Sequence, residues 1–293
     1  MAAGTTVELQ GAGVRLVADA YGAPDSPPAL LLHGGGQTRH AWGTTASVLA
    51  DHGWRAYTVD LRGHGDSEWP ADGDYSLDVF AADIRAMVAT LAEIPVLVGA
   101  SLGGISSLVA IAESPNSIAR ALVLVDVAPR MEPAGIQRIT DFMTGHPDGF
   151  TSLDEVADAV AAYNPHRPRP RNLEGLRKNV RQRPDGRWVW HWDPRFIGNG
   201  PGASSGRGSP DETRSMTDQD RLEQAARAVT VPTLLVRGRV SDLLSEDGAR
   251  QLLELIPHAR LTDVAGAGHM VAGDRNDLFN EAVVAFLDEV RAA

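Results

Sequence analysis

The sequence predicts an α/β protein in which a mostly parallel sheet is covered by helices on both faces. Three observations carry this. Short continuous apolar runs alternate with segments that are apolar at helical spacing, as parallel strands buried on both faces require. One such run ends in Gly99-Ala100-Ser101-Leu102-Gly103, small residues around a single hydroxyl where strand periodicity gives way to helix. The alternation stops after Pro129 and resumes only at "VPTLLVRG" (231–238), so a long segment is inserted into the repeating pattern.

Taken in order, "VELQGAGVRLVADAYG" alternates apolar and polar residues on both sides of Gly11-Ala12-Gly13 and predicts an antiparallel hairpin. "ALLLH" (29–33) and "WRAYTVD" (54–60) read as strands, with a helix between them ended by Gly53. In "SLDVFAADIRAMVATLAE", Leu77, Phe80, Ile84, Met87, Val88 and Leu91 share one helical face behind Ser76 as the predicted N-cap. "PVLVGA", the helix after Ser101 and "ALVLVDVAP" (121–129) follow. The insertion is helical at first (152–164), then basic and proline-rich, then aromatic at "RWVWHW", and it closes on a Gly/Ser-rich stretch near 198–210 that reads as a mobile loop or hinge. "SEDGARQLLELI" predicts a helix, "ARLTDVAGAG" a last strand and loop, and "NDLFNEAVVAFLDEV" the terminal helix. The expected division is therefore a core of residues 1–128 and 229–293 with a cap over 129–228.

Composition narrows the function classes. At 43% hydrophobic and 22% charged over 293 residues, the chain has the make-up of an ordinary globular protein with a sizeable core. Its 27 Lys and Arg against 38 Asp and Glu give a net charge of −11, which repels phosphate backbones and anionic lipid. Neither nucleic acid nor a membrane is an expected partner. The absence of cysteine excludes disulfides, thiolate metal sites and a cysteine nucleophile. With no basic start followed by an apolar stretch at the N-terminus, a cytoplasmic location is expected.

The chemistry follows from where hydroxyl, imidazole and carboxylate fall. Serine is a poor nucleophile at neutral pH and needs a base, which in turn needs an orienting group. His269 lies in the glycine-rich "GAGHMVAG" after the last strand, and Asp242 lies just past "TLLVRG". With Ser101 these residues all follow strands, at the sheet edge where sites form. Asp242 is the favoured acid because its strand immediately precedes the element leading to His269. Asp126, at the end of "LVLVD", and Asp247 are the alternatives. The glycines of "LLHGGGQ" let backbone approach a substrate, so Gly35 N–H, with Gly36 as the alternative, can pair with Leu102 N–H to hold a developing oxyanion. Leu102 also opens a helix, whose dipole favours an anion.

"LLHGGG", "VDLRGHGDS", "VGASLGG", "VRGRVSD" and "GAGHMV", in this order, resemble the α/β-hydrolase superfamily over about residues 20–128 and 229–290. The resemblance implies the α/β-hydrolase fold, with an eight-stranded sheet, a mainly helical cap inserted after the sixth strand, and Ser101, Asp242 and His269 as a triad. It is nearest in kind to cap-bearing serine esterases, lactonases and cofactor-free perhydrolases. The relatives that hydrolyse epoxides or haloalkanes carry aspartate at the position of Ser101, which argues against those chemistries.

The expected activity is thus hydrolysis of a small to medium carboxylic ester through an acyl-enzyme, with no cofactor and no metal. The expected partners are an ester and water, and the sequence leaves room for a homodimer. Lactone opening or peracid formation needs the same triad, and a non-catalytic small-molecule receptor is the alternative from another class. Trp188, Trp190 and Trp192 would share a face if extended. Trp190 and Trp192 are then candidate substrate contacts, with Gly36, or else the apolar face by which the cap docks. The arginines of "PHRPRPRNLEGLRKNVRQR" either attract an anionic substrate or form a solvated face. His64 and Asp60 read as braces of a turn, and His33 as a packed histidine beside the oxyanion loop.

Overall fold

The computed structural model describes residues 4–165, 167–169, 172–197, 218–274 and 276–292; the candidate hinge near 198–210 lies outside them. The chain opens with the hairpin read from its alternation, β1 (Thr5–Gln10) and β2 (Arg15–Tyr21). Then come β3 (Pro28–Leu32), α1 (Gly43–Asp51), β4 (Arg55–Asp60), α2 (Leu77–Thr90), β5 (Val96–Ala100), α3 (Leu102–Ala112) and β6 (Ala121–Val125). The insertion supplies α4 (Pro133–Thr144), α5 (Leu153–Tyr163) and a small antiparallel pair, β7 (Val180–Gln182) with β8 (Trp188–Trp190). The chain returns through α6 (Gln219–Ala228), β9 (Thr233–Gly238), α7 (Glu246–Leu255), β10 (Arg260–Val264), α8 (Val271–Asp274) and α9 (Asn276–Ala292).

The main sheet has eight strands in the order β1-β2-β4-β3-β5-β6-β9-β10, with β1-β2 and β2-β4 antiparallel and every pairing from β4 onward parallel. Period-two alternation splits it into two cores. Leu30, Leu32, Leu97 and Leu122 face α2, α3, α6 and α7, while Ala29, Leu31, Val98 and Val123 face α1 and α9. Because the order runs outward in both directions from β3 and β5, the carboxyl ends of β3, β5, β6 and β9 lie side by side, and their loops meet over the centre of one edge. Among the described residues no helix is long and apolar enough to cross a membrane.

Two expectations change here. Ser76 occupies the N-cap position of α2, but its hydroxyl makes no capping bond. Helix α6, assigned from sequence to the cap, buries Leu222, Ala225 and Ala226 in the main core with α2 and α3. The overlying segment therefore ends before Gln219. Its own small core is aromatic: Phe150, Trp188, Trp190 and Trp192 are all buried with Val156, Leu176 and Val180.

A buried ion pair ties the edge hairpin to the sheet. Arg62 donates from Nε and Nη2 to Asp83 of α2 at 2.6 and 2.7 Å, and Ala12 N–H of the hairpin turn donates to the same carboxylate at 2.7 Å. With both side chains 3% exposed or less, Asp83→Ala leaves a guanidinium buried and unpaired. It is expected to lower stability by about 3–5 kcal/mol, read as a fall in the urea midpoint.

Candidate active site

Ser101 sits between β5 and α3 with φ 44° and ψ −113°, a conformation that side chains rarely adopt. The glycines around it are obligatory. A Cβ on Gly99 would stand 2.5 Å from Gly103 C, and one on Gly103 would stand 2.4 Å from Leu32 O. Packing this tight lets α3 start directly on the sheet edge and lifts the hydroxyl above it, into the wall of a cavity of about 570 Å³. His269, in the loop after β10, lines the same cavity.

The carboxylate on His269 belongs to Asp126, not Asp242. His269 Nδ1–H donates to Asp126 Oδ2 at 2.8 Å; the same oxygen accepts Ser241 Oγ–H at 2.5 Å, and Oδ1 accepts Gly238 N–H at 2.9 Å. Asp126 is wholly buried, at φ 51°. This left-handed turn at the end of β6, with Asp126 N–H held by Val236 O at 2.8 Å, swings the carboxylate toward the loop after β9. The expected acid, Asp242, instead forms an ion pair with Arg138 of α4, Nε standing 2.6 Å from Oδ2 and Nη2 donating to Oδ1 at 3.0 Å. Ser241 explains the divergence. Its hydroxyl takes the inward position in the tight turn after β9 and also accepts Leu243 N–H at 3.1 Å, so the next side chain projects outward. Asp247 lies in the first turn of α7, paired with Arg250 at 2.6 Å.

The glycine loop after β3 is braced by two buried histidines. His33 donates from Nδ1 to Gly34 O at 2.8 Å and accepts Leu61 N–H on Nε2 at 3.0 Å. His64 donates from Nδ1 to Arg62 O at 2.9 Å and accepts Gly36 N–H on Nε2 at 3.1 Å. Gly34 N–H goes to Gln37 Oε1 at 3.1 Å. With Gly34 and Gly36 committed, Gly35 N–H and Leu102 N–H are the two donors here without an acceptor among the described residues, and both residues line the cavity. Of the two expected candidates, Gly35 is therefore the one available to an oxyanion. Gly36 lines the cavity without offering its N–H.

Protonating either histidine would set two donors against each other. Burial accordingly pushes His33 down from 6.5 to about 4, and burial with the neighbouring His33 pushes His64 down to about 3. Each folded value lies below that of the unfolded chain, so unfolding takes up protons in acid. Stability is expected to fall as pH drops from about 6.5 toward 4. The urea midpoint at pH 7 and at pH 5 reads this, with a smaller drop in His64→Gln, whose amide oxygen can still accept Gly36 N–H.

"DLRGHGDS" braces rather than reacts. Asp60 holds Arg39 through its backbone N–H at 2.6 Å and through its guanidinium. Asp193 N–H donates to Gly63 O and Gly65 N–H to His191 O, both at 2.7 Å, docking the aromatic segment of the insertion onto this loop. The three tryptophans share a face as expected, but they divide in role. Trp190 lines the cavity; Trp192 does not, and stacks behind Trp190 with ring centres 5.0 Å apart. Part of the basic run is paired at the surface, Arg169 with Asp154 and Asp158, Arg177 with Glu174 and Arg183 with Asp185. Ser241 is the functional neighbour that sequence reasoning missed; its adjacency to a better-known residue type, Asp242, masked it.

Comparison with known proteins agrees with this geometry. A sequence model described as alpha/beta hydrolase fold matches residues 27–275. An esterase of Mycobacterium tuberculosis is 31% identical over 270 residues, covering 90% of this chain and 83% of its own. A 3-hydroxybutyrate-oligomer hydrolase of Cupriavidus necator is 29% identical over 264 residues, 87% of each chain. Among solved structures, an E-2-(acetamidomethylene)succinate hydrolase superposes with a TM-score of 0.80 over 97% of this chain and 99% of its own, at 23% identity, a likeness of fold. The esterase from M. tuberculosis superposes with a TM-score of 0.71 at 27% identity, over 98% of this chain and 93% of its own. With the fold, the strained serine turn and the matching family model in agreement, this chain belongs to the α/β-hydrolase family.

Proposed function

We propose that the protein is a serine hydrolase of carboxylic esters working through an acyl-enzyme, with Ser101, His269 and Asp126 as its triad. The observation that carries this is the Asp126–His269 pair, buried carboxylate on imidazole, with His269 lining the same cavity as Ser101. Asp126 on Nδ1–H leaves the lone pair of Nε2 as the free face of the imidazole, the tautomer that a general base needs. Three donors on the buried carboxylate fix its position.

In the first step Ser101 Oγ bonds to the ester carbonyl carbon as its proton passes to His269 Nε2. The carbonyl oxygen becomes an anion held by Gly35 N–H and Leu102 N–H, with the α3 dipole adding to the attraction. Collapse breaks the ester C–O bond, and His269 returns the proton to the departing alcohol. Water then repeats the sequence on the acyl-enzyme, releasing the acid and restoring Ser101. The cavity volume of about 570 Å³ fits a small to medium ester.

Labelling with a fluorophosphonate, mapped by peptide mass, tests the nucleophile directly. Modification at Ser101, together with Ser101-dependent acid release from an ester panel, supports the reading. Labelling without turnover of any ester would move the substrate class to lactones or another acyl compound. Absence of both would leave a binding protein on this fold.

A further inference from the structure

The segment that follows the three tryptophans ends in a ring placed over the oxyanion loop. Phe196 lies in a short 3-10 turn, Pro194–Ile197, and lines the cavity. A Cβ on Gly35 would stand 3.3 Å from Phe196 Cε1 and 3.5 Å from its Cζ, so the ring edge rests on the glycine whose N–H is open to an oxyanion. Met143 of α4 covers the next residue, since a Cβ on Gly36 would stand 2.9 Å from its Cε. The thioether chain is flexible and can yield. The phenyl ring is held.

Phe196 makes T-shaped contacts with His64, Tyr75 and Phe80, ring centres 4.9, 5.7 and 6.0 Å apart. It therefore packs on the main core as well as on the aromatic core of the insertion. Its backbone is fixed from the same side. Phe196 N–H donates to Asp193 O at 3.0 Å, and the Asp193 carboxylate, 2% exposed, accepts Tyr75 Oη–H at 2.6 Å and Arg195 N–H at 2.9 Å. Arg195 in turn donates from Nη2 to the same carboxylate at 2.6 Å and to Pro70 O at 2.9 Å. This clamp ties the turn to the loop before α2, so the ring cannot swing off Gly35 without breaking buried polar contacts.

An ester carbonyl oxygen within hydrogen-bond range of Gly35 N–H puts the acyl α-carbon within about 5 Å of that nitrogen. The departing alcohol oxygen has to meet His269 Nε2. The loop of His269 lies against the far end of the glycine loop, where Gln37 Nε2 donates to Met270 Sδ at 2.8 Å. The alcohol thus takes the Gln37 side, and the acyl group takes the side of Phe196 and Met143.

We propose that Phe196 is a specificity-determining residue for the acyl group, its clamped ring admitting a straight chain at the α-carbon and rejecting a branched one. This rests on the ester-hydrolase reading above and names the acyl class. One methyl group set against a rigid wall changes kcat/KM by roughly tenfold.

The test compares kcat/KM for 4-nitrophenyl butanoate with that for its isomer 4-nitrophenyl 2-methylpropanoate, each divided by its rate with hydroxide. A wild-type ratio near ten, falling toward one in Phe196→Leu and Phe196→Ala and rising in Phe196→Trp, is the expected result. The leucine variant keeps an apolar side chain in the cluster, and an unchanged urea midpoint shows that its fold is intact. A wild-type ratio at or below one overturns the proposal, as does a ratio unmoved by both smaller residues. So does a shift as large in the alcohol series, propyl against 1-methylethyl butanoate. If no ester is turned over in a Ser101-dependent way, the hydrolase reading fails instead. Calorimetric titration of Ser101→Ala with methyl butanoate and methyl 2-methylpropanoate then judges the wall by itself. Tighter binding of the straight chain that is lost when Phe196→Leu is added supports it, and equal binding or none overturns it.

Discussion

Replacing Ser101 with alanine is expected to lower kcat/KM by about six orders of magnitude, measured by acid release in a pH-stat on the best ester. Nothing nearby can substitute. Ser106 and Ser107 are wholly buried in α3, where Ser107 Oγ–H donates to Gly103 O at 2.7 Å. The fold should survive, because the side chain lost is only a hydroxyl at a position whose strain lies in the backbone. Relief is not available to alanine either, which retains the Cβ that makes φ 44° unfavourable. An unchanged urea midpoint with activity gone is therefore the signature of a nucleophile. Substantial residual turnover would sink the assignment.

Asp126→Asn is expected to lower kcat/KM by about four orders of magnitude, whereas Asp242→Asn should change it by less than about tenfold. The amide can still accept Gly238 N–H, but wherever its NH2 faces His269 Nδ1 it favours the opposite tautomer and turns an N–H toward Ser101. Asp242, in the loop after β9 with a side chain 36% exposed, is paired to Arg138 of α4 and is not among the residues that line the cavity with Ser101 and His269. Equal losses in the two variants would return the acid to the loop after β9. Ser241→Ala should fall between the two, since it removes one of three donors that hold the Asp126 carboxylate while leaving the contact to His269.

These two aspartates mark the limit of what one-dimensional reasoning reaches. Asp126 and Asp242 both end or closely follow apolar strands, and β6 and β9 are neighbours in the sheet, so order along the chain places both at the same edge. What separates them is side-chain direction. A left-handed backbone at Asp126 and the hydroxyl of Ser241 in the turn after β9 decide it, and neither has a signature in residue type. The same limit explains α6. Its apolar face is as compatible with a cap as with the core, and only its packing against α3 assigns it.

The glycine loop is an intermediate case. Its composition in "HGGG" pointed to an oxyanion site, and the choice between Gly35 and Gly36 came down to one bond, Gly36 N–H to His64 Nε2, made by a residue 28 positions away. Sequence by itself determined the sheet, the strand-to-helix serine turn and the histidine loop, because each rests on local periodicity or on glycines whose absence of a side chain is itself the information. Tertiary structure decided which carboxylate meets His269 and which N–H stays open. Those outcomes depend on side-chain direction and on partners far apart in the chain, quantities that spacing along the sequence does not encode.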